Sequence, residues 1–243
     1  MKVFVAENYD ELSETSASII IEDMKAKSNI TLGFATGSTP IGTYQNLIAA
    51  YNAKEISFKD VLSFNLDEYL GLPRTHEQSY YYFMHNELFN HIDIKEENVN
   101  IPNGDIEHIE ENIKKYQEML DSNPIDIQIL GIGGNGHIAF NEPGTSFEST
   151  THTVKLDEKT REDNKRFFND ISEVPKEAVT MGIKDIMSAK KLIVLANGES
   201  KAKAVKELLE GTKSENFPAS ILLDHEDVTL IVDKEAASLL KED

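Results

Sequence analysis

The segment with the most chemistry in it is Gly131-Ile132-Gly133-Gly134-Asn135-Gly136-His137-Ile138-Ala139-Phe140-Asn141-Glu142. His137 follows a glycine-rich loop that itself follows an apolar run, Ile125 to Leu130. A histidine there is either a satisfied polar group or a proton carrier. Glu142 can orient the imidazole if the loop curls back, and such a pair moves protons near neutral pH. Asp67-Glu68 closes a second apolar run, Val61 to Leu66. An aspartate there starts a turn or caps a helix. Alternatively it is a general base whose basicity is raised by Phe64, Leu66 and Tyr69 around it. Thr36-Gly37-Ser38-Thr39-Pro40 precedes a helical pattern. Ser38 or Thr39 can cap that helix, or the turn can hold an anion through hydroxyls, free N–H groups and the helix dipole.

Other chemistry is excluded or disfavoured. Gly131, Gly133 and Gly136 match G-x-G-x-x-G, but the Pro143-Gly144 turn comes too soon for the helix that a dinucleotide site requires. The Thr36 turn has no lysine after its glycine and is not a Walker loop. No metal is expected, because no H-E-x-x-H or comparable ligand spacing occurs and His85 and His91 do not share a helix face. There is no G-x-S-x-G elbow and no cysteine, so covalent acyl transfer has no apparatus. Cations are sparse. The only arginines are Arg74, Arg161 and Arg166, and Arg166 lies in Asn164-Lys165-Arg166-Phe167-Phe168. Lys201 follows Asn197-Gly198-Glu199-Ser200. Both are either solvated surface residues or a phosphate grip.

The elements that must position these residues alternate between apolar strands and amphipathic helices. Strands are predicted at 3–6, 31–35, 61–66, 125–130, 179–182, 192–196 and 228–232. Helices are predicted at 10–27, 41–50, 79–89, 106–120 and 200–209. This pattern indicates an α/β fold with a mostly parallel sheet. No linker, repeat or composition break divides residues 1–243, so one domain is expected. Ligands in such sheets bind beyond the carboxyl ends of the strands. The Thr36, Asp67 and Gly131 segments all sit at such ends, which predicts one shared site.

Composition bounds the setting. The 243 residues carry 43 acidic and 24 basic side chains, a formal charge of -19. That argues against nucleic acid as a partner and, more weakly, against a phosphorylated small substrate. No apolar run reaches the ~20 residues of a membrane span, and the N-terminus lacks a signal-peptide core. A cytoplasmic protein without disulfides or membrane contact is expected.

Taken together, these segments closely resemble the glucosamine-6-phosphate deaminase family. The resemblance rests on Gly33 to Pro40, Phe64 to Tyr69, Gly131 to Gly144, Arg166-Phe167-Phe168, Val174-Pro175-Lys176 and Gly198 to Ala202. It implies a Rossmann-like α/β fold with helices on both faces of the sheet. It also implies conversion of glucosamine 6-phosphate and water to fructose 6-phosphate and ammonium, within amino-sugar catabolism and with no cofactor or metal. By that resemblance His137 opens the sugar ring, Glu142 orients His137, and Asn135 assists. Asp67 takes the carbon-2 proton. Ser38, Thr39, Arg166 and Lys201 bind the phosphate, and Thr36, Gly37, Glu68, Gly133 and Gly136 line the substrate. The chain looks like the short members of the family and has His152 and Val154 where activated hexamers carry basic residues. A monomer or small homo-oligomer with hyperbolic kinetics is therefore expected. The alternatives are a 6-phosphogluconolactonase, which fits Phe64 to Tyr69 and Asn141-Glu142-Pro143 less well, and a sugar-phosphate sensor without turnover.

Overall fold

A computed structural model describes residues 1–165 and 168–240, with the side chains of residues 159 and 163 left out. In chain order the elements are β1 (Lys2–Ala6), α1 (Tyr9–Ala26), β2 (Thr31–Phe34), α2 (Ile41–Asn52), β3 (Leu62–Asn65), β4 (Asp67–Tyr69), α3 (Tyr80–Glu87), β5 (Val99–Asn100) and α4 (Ile109–Ser122). They continue with β6 (Ile127–Gly131), β7 (His152–Lys155), α5 (Glu158–Asn164), β8 (Glu177–Thr180), α6 (Ile183–Met187), β9 (Lys191–Ala196), α7 (Ala202–Glu210) and β10 (Val228–Asp233).

The main sheet has seven strands in the order β1-β10-β9-β6-β2-β3-β5, and every pairing is parallel. This is the α/β sheet predicted, flanked by helices. Its central strands are apolar on both faces because helices cover both: Leu192, Ile193, Val194, Leu230, Ile231 and Val232 are all fully buried. From β2 the chain runs outward through β3 to β5, then returns to place β6 on the other side of β2. The reversal opens a crevice at the carboxyl ends of β2 and β6. The Thr36 turn and the Gly131 loop both emerge there.

The predicted strand 61–66 differs in an instructive way. β3 ends at Asn65, and the chain then changes sheets. The Leu66 N–H donates to the Phe34 carbonyl in the main sheet, while the Leu66 carbonyl accepts from the Met181 N–H. Asp67 to Tyr69 then forms one edge of a separate antiparallel sheet, β4-β8-β7, with Asp67 opposite Thr180. Asp67 therefore does not end a parallel strand. It begins a strand of a second sheet, held against β8. Of this small sheet only β8 is anticipated, as the strand predicted at 179–182, while β7 and the two-residue β5 escape prediction.

Local chemistry explains several helix starts. Asn8 accepts from the Glu11 N–H at α1, and Ser79 accepts from the Tyr82 N–H at α3. The helices predicted at 106–120 and 200–209 each begin as a short 3-10 turn, over Ile106–His108 and Glu199–Lys201. α2, like α4, α6 and α7, starts without a side-chain cap. Its cap is Pro40, with no side-chain hydrogen bond, so neither Ser38 nor Thr39 caps it.

Candidate active site

A cavity of about 930 Å³ occupies the crevice. One wall is the turn from Thr36 to Pro40, and the facing wall holds Asn197, Ser200 and Lys201. Gly37 has φ +91, a left-handed conformation that glycine adopts without strain. The turn leads directly into α2, so the N-terminal pole of that helix's dipole faces it. The turn is braced from behind by Tyr9. Its hydroxyl donates toward the Ser38 and Thr39 carbonyls, both 3.0 Å away, and accepts from the Gly42 N–H at 2.8 Å. Thr39 Oγ1 donates to Asn197 Oδ1 at 2.7 Å, tying the two walls together. Ser38, Thr39 and Lys201 are thus brought to one place. Arg166 lies outside the described residues.

Asp67 sits in the cavity wall at 6% exposure. Burial and the adjacent Glu68 carboxylate push its carboxyl well above the usual aspartate range. Beside it runs a polar edge in an aromatic wall. Thr36, Tyr69 and Tyr80 all border the cavity there. Tyr69, Tyr80 and Phe140 pack together, with ring centroids 4.8 to 6.0 Å apart, and Phe168 stands edge-on to Tyr69.

Glu68 was expected to line the substrate, and the structure corrects this. Neighbouring residues in a strand point to opposite faces, so Asp67 and Glu68 part company. Glu68 is 3% exposed and does not border the cavity. Its carboxylate accepts from the backbone N–H groups of Tyr69, Tyr80 and Tyr81 at 2.8, 2.9 and 2.9 Å. It fastens the first turn of α3, and with it Tyr80, to β4. Burial pushes Glu68 up to about 7, against the pull of those three donors.

His137 is held from one side by a chain of hydrogen bonds. Its Nδ1 lies 2.7 Å from Asn135 Oδ1, and its backbone N–H donates to the same oxygen at 3.2 Å. Asn135 Nδ2 donates to Glu142 Oε2 at 3.0 Å. The amide therefore presents its oxygen to the imidazole, which must carry its proton on Nδ1. His137 Nδ1 and Glu142 Oε2 are 3.7 Å apart, too far for a direct bond. Glu142 was expected to orient His137 itself. Instead it orients Asn135, which orients His137. The other oxygen of Glu142 accepts from Thr160 Oγ1 on α5.

The loop glycines make this geometry possible. A Cβ on Gly133 would come within 2.3 Å of the His137 ring, so only glycine lets the imidazole lie flat on the loop. Gly136 has φ +83, and a Cβ there would meet the Phe217 ring at 2.2 Å. Gly136 shapes the turn against Phe217 and does not border the cavity, contrary to expectation, whereas Gly133 does. Asn135 and Glu142 stand behind His137, outside the cavity wall.

Sequence reading missed Tyr9, Tyr80, Thr160 and Asn197. Tyr80 alone had a local signal, an aromatic run directly after a helix-capping serine. Among the described residues, no group of three or more histidine and acidic side chains is arranged to hold a metal ion. Among the same residues, no helix is long and apolar enough to cross a membrane.

This architecture is shared with known proteins. The family model for glucosamine-6-phosphate isomerases/6-phosphogluconolactonase matches residues 6–231. A glucosamine-6-phosphate deaminase of Thermoanaerobacter sp. (strain X514) is 53% identical over 244 residues, covering 100% of this chain and 96% of that one. One from Clostridium novyi (strain NT) is 52% identical over 241 residues, covering 99% and 100%. A solved monomeric glucosamine-6-phosphate deaminase superposes with TM-score 0.96 at 49% identity, covering 98% of this chain and 100% of that one. The 6-phosphogluconolactonase from Trypanosoma brucei superposes with TM-score 0.79 at 21% identity, covering 99% and 98%, a likeness of fold alone. With nearly its whole length matched by the model and by relatives above half identity, the chain belongs to the glucosamine-6-phosphate isomerase/6-phosphogluconolactonase family.

Proposed function

We propose that this protein converts glucosamine 6-phosphate and water to fructose 6-phosphate and ammonium, acting in the cytoplasm as a monomer or small homo-oligomer. The observation that carries this reading is a buried carboxyl, Asp67, in the same cavity wall as an imidazole, His137, whose Nδ1 is held by Asn135. An aldose–ketose isomerisation needs both groups, and a lactone hydrolysis needs no base for a carbon-bound proton.

In this scheme the phosphate lies against the Thr36–Thr39 turn. Ser38, Thr39 and backbone N–H groups donate to it, with Lys201 and Arg166 as charged partners. With Nδ1–H committed to Asn135, His137 uses Nε2 to accept the proton of the anomeric hydroxyl. It returns that proton to the ring oxygen, and the ring opens. Asp67 then removes the carbon-2 proton while O1 takes a proton from the substrate's own ammonium group, giving an enolamine. The proton now held by Asp67 is delivered to carbon 1, giving a protonated ketimine at carbon 2. Water adds to the ketimine and ammonia leaves as ammonium, so no nucleophilic side chain is required. The aromatic wall of Tyr69, Tyr80 and Phe140 keeps bulk water from the enolamine.

Ammonium release from glucosamine 6-phosphate, measured beside hydrolysis of 6-phosphogluconolactone, tests the reading. Ammonium with fructose 6-phosphate supports it. Lactone hydrolysis without ammonium release, or tight binding of the amino sugar without turnover, overturns it.

Two further outcomes are expected. Asp67 must be ionised to act as base, and its environment holds the proton tightly. The rate should therefore fall as pH falls through a value well above the ordinary carboxylate range. A kcat/KM profile flat down to pH ~5 would contradict this. Tyr9→Phe removes the brace behind the phosphate turn while leaving Asp67 and His137 in place. With about 1 kcal/mol of hydrogen bonding lost, KM should rise about fivefold with kcat within twofold. Inhibition by inorganic phosphate should weaken in parallel.

A further inference from the structure

Thr160 lies on α5, outside every motif in which the chemistry was legible. Its side chain is nonetheless 4% exposed, and its hydroxyl donates to Glu142 Oε1. The bond closes a sequence of four residues. Thr160 holds one oxygen of Glu142, the other oxygen holds the Asn135 amide, and the Asn135 oxygen holds His137 Nδ1–H. A carboxylate gripped at one oxygen can still rotate about its Cγ–Cδ bond. Gripped at both oxygens by donors from different segments, it cannot. Glu142 then presents one fixed acceptor to the Asn135 amide, which removes the flipped amide that would turn an N–H at the imidazole.

α5 is tied down elsewhere by Asp157, which caps it, and by Arg161, whose guanidinium donates to the Ile171 and Val174 carbonyls. It also contributes Thr160, Glu162 and Asn164 to the cavity. One short helix thus borders the substrate space and holds the far end of the hydrogen-bond chain behind His137.

We propose that Thr160 is a positioning residue that couples the seating of α5 to the tautomer of His137. When α5 sits as observed, the chain is complete and Nε2 is the basic nitrogen. When α5 shifts, Glu142 loses one grip and the Asn135 amide is released to flip. The proposal rests on the deaminase reading for its kinetic consequence but not for its structural one.

Thr160→Val keeps the shape and removes the hydroxyl, and Thr160→Ser keeps the hydroxyl. With glucosamine 6-phosphate, Thr160→Val should lower kcat about tenfold with KM within twofold, and Thr160→Ser should stay within twofold of the parent in both. A KM effect alone would overturn the proposal, as would an equal kcat loss in both variants, which would mark a packing role. Nitrogen-15 spectra of histidine-labelled full-length protein supply an independent readout. At a pH where the imidazole is neutral, the parent should show the proton on Nδ1, and Thr160→Val should show a tautomer mixture. If the valine variant does not fold, Thr160→Ala takes its place. An unchanged tautomer in a folded hydroxyl-less variant overturns the proposal. If the parent releases no ammonium, the deaminase reading fails, while the spectra still decide the role of Thr160.

Discussion

Asp67→Asn is expected to lower kcat by about two to four orders of magnitude while leaving KM within a few-fold. The same substitution is expected to raise thermal stability at a pH where the parent carboxyl is ionised. Both effects have one cause. The Asp67 carboxyl is buried, and the adjacent Glu68 carboxylate repels its charge. Burial and repulsion hold its proton-binding affinity above that of the unfolded chain. Between the unfolded pKa and the raised folded one, the native state therefore binds more protons than the unfolded state. In that window stability falls as pH rises. Once ionised, the base is a cost to the fold, and a neutral amide of the same shape removes it. The β4–β8 pairing is made by backbone and survives the change. Steady-state ammonium release and thermal denaturation at two pH values check both halves. The variant's advantage should shrink at pH ~4, where the parent carboxyl is protonated as well. Loss of stability in the variant, or near-normal turnover, would remove Asp67 from the role of buried base.

Gly133→Ala is expected to lower kcat by about a hundredfold with little change in global stability. The argument is steric and local. The added methyl would fall 2.3 Å from the His137 Cε1 and Nδ1 atoms. The ring is about a quarter exposed, with 24% of its side chain accessible, so it yields by swinging into the cavity. Swinging breaks the bond to Asn135 and moves Nε2 away from its place. Displacement of a proton carrier by ~1 Å costs rate on that order. Gly134→Ala is the control, since a methyl there meets nothing within 4 Å. It should behave as the parent does in both rate and urea midpoint. Equal losses in the two variants would mean that loop stiffness, and not the ring, is what the glycines protect.

The charge of -19 looked unfavourable for a phosphorylated ligand, and the structure shows where that inference was too coarse. Net charge sets the far field. The Thr36–Thr39 turn offers the N-terminal end of α2 and two hydroxyl side chains, and Lys201 lines the same cavity. Near-field donors of this kind do not register in a count of acidic residues.

What the sequence determined alone is whatever depends on neighbours along the chain. The apolar runs 125–130, 192–196 and 228–232 could satisfy their pattern only as buried strands, and they are β6, β9 and β10. The glycines of the Gly131 loop and the polar residues after each strand fixed where reactive groups would emerge. Placement of His137, Ser38 and Thr39 around one cavity followed from the rule for parallel sheets. Tertiary structure decided the rest. The change of sheet at Leu66 depends on Phe34 and Met181, which are remote in sequence. That turn sends Asp67 to the cavity and Glu68 to the N-terminus of α3. Tyr9 reaches the Thr36–Thr39 turn from α1, Thr160 reaches Glu142 from α5, and Asn135 comes between Glu142 and His137. Periodicity reports which face of an element is buried. It carries no information about which distant hydroxyl or amide will be brought within 3 Å of a given carboxylate, because that is settled by the packing of whole elements.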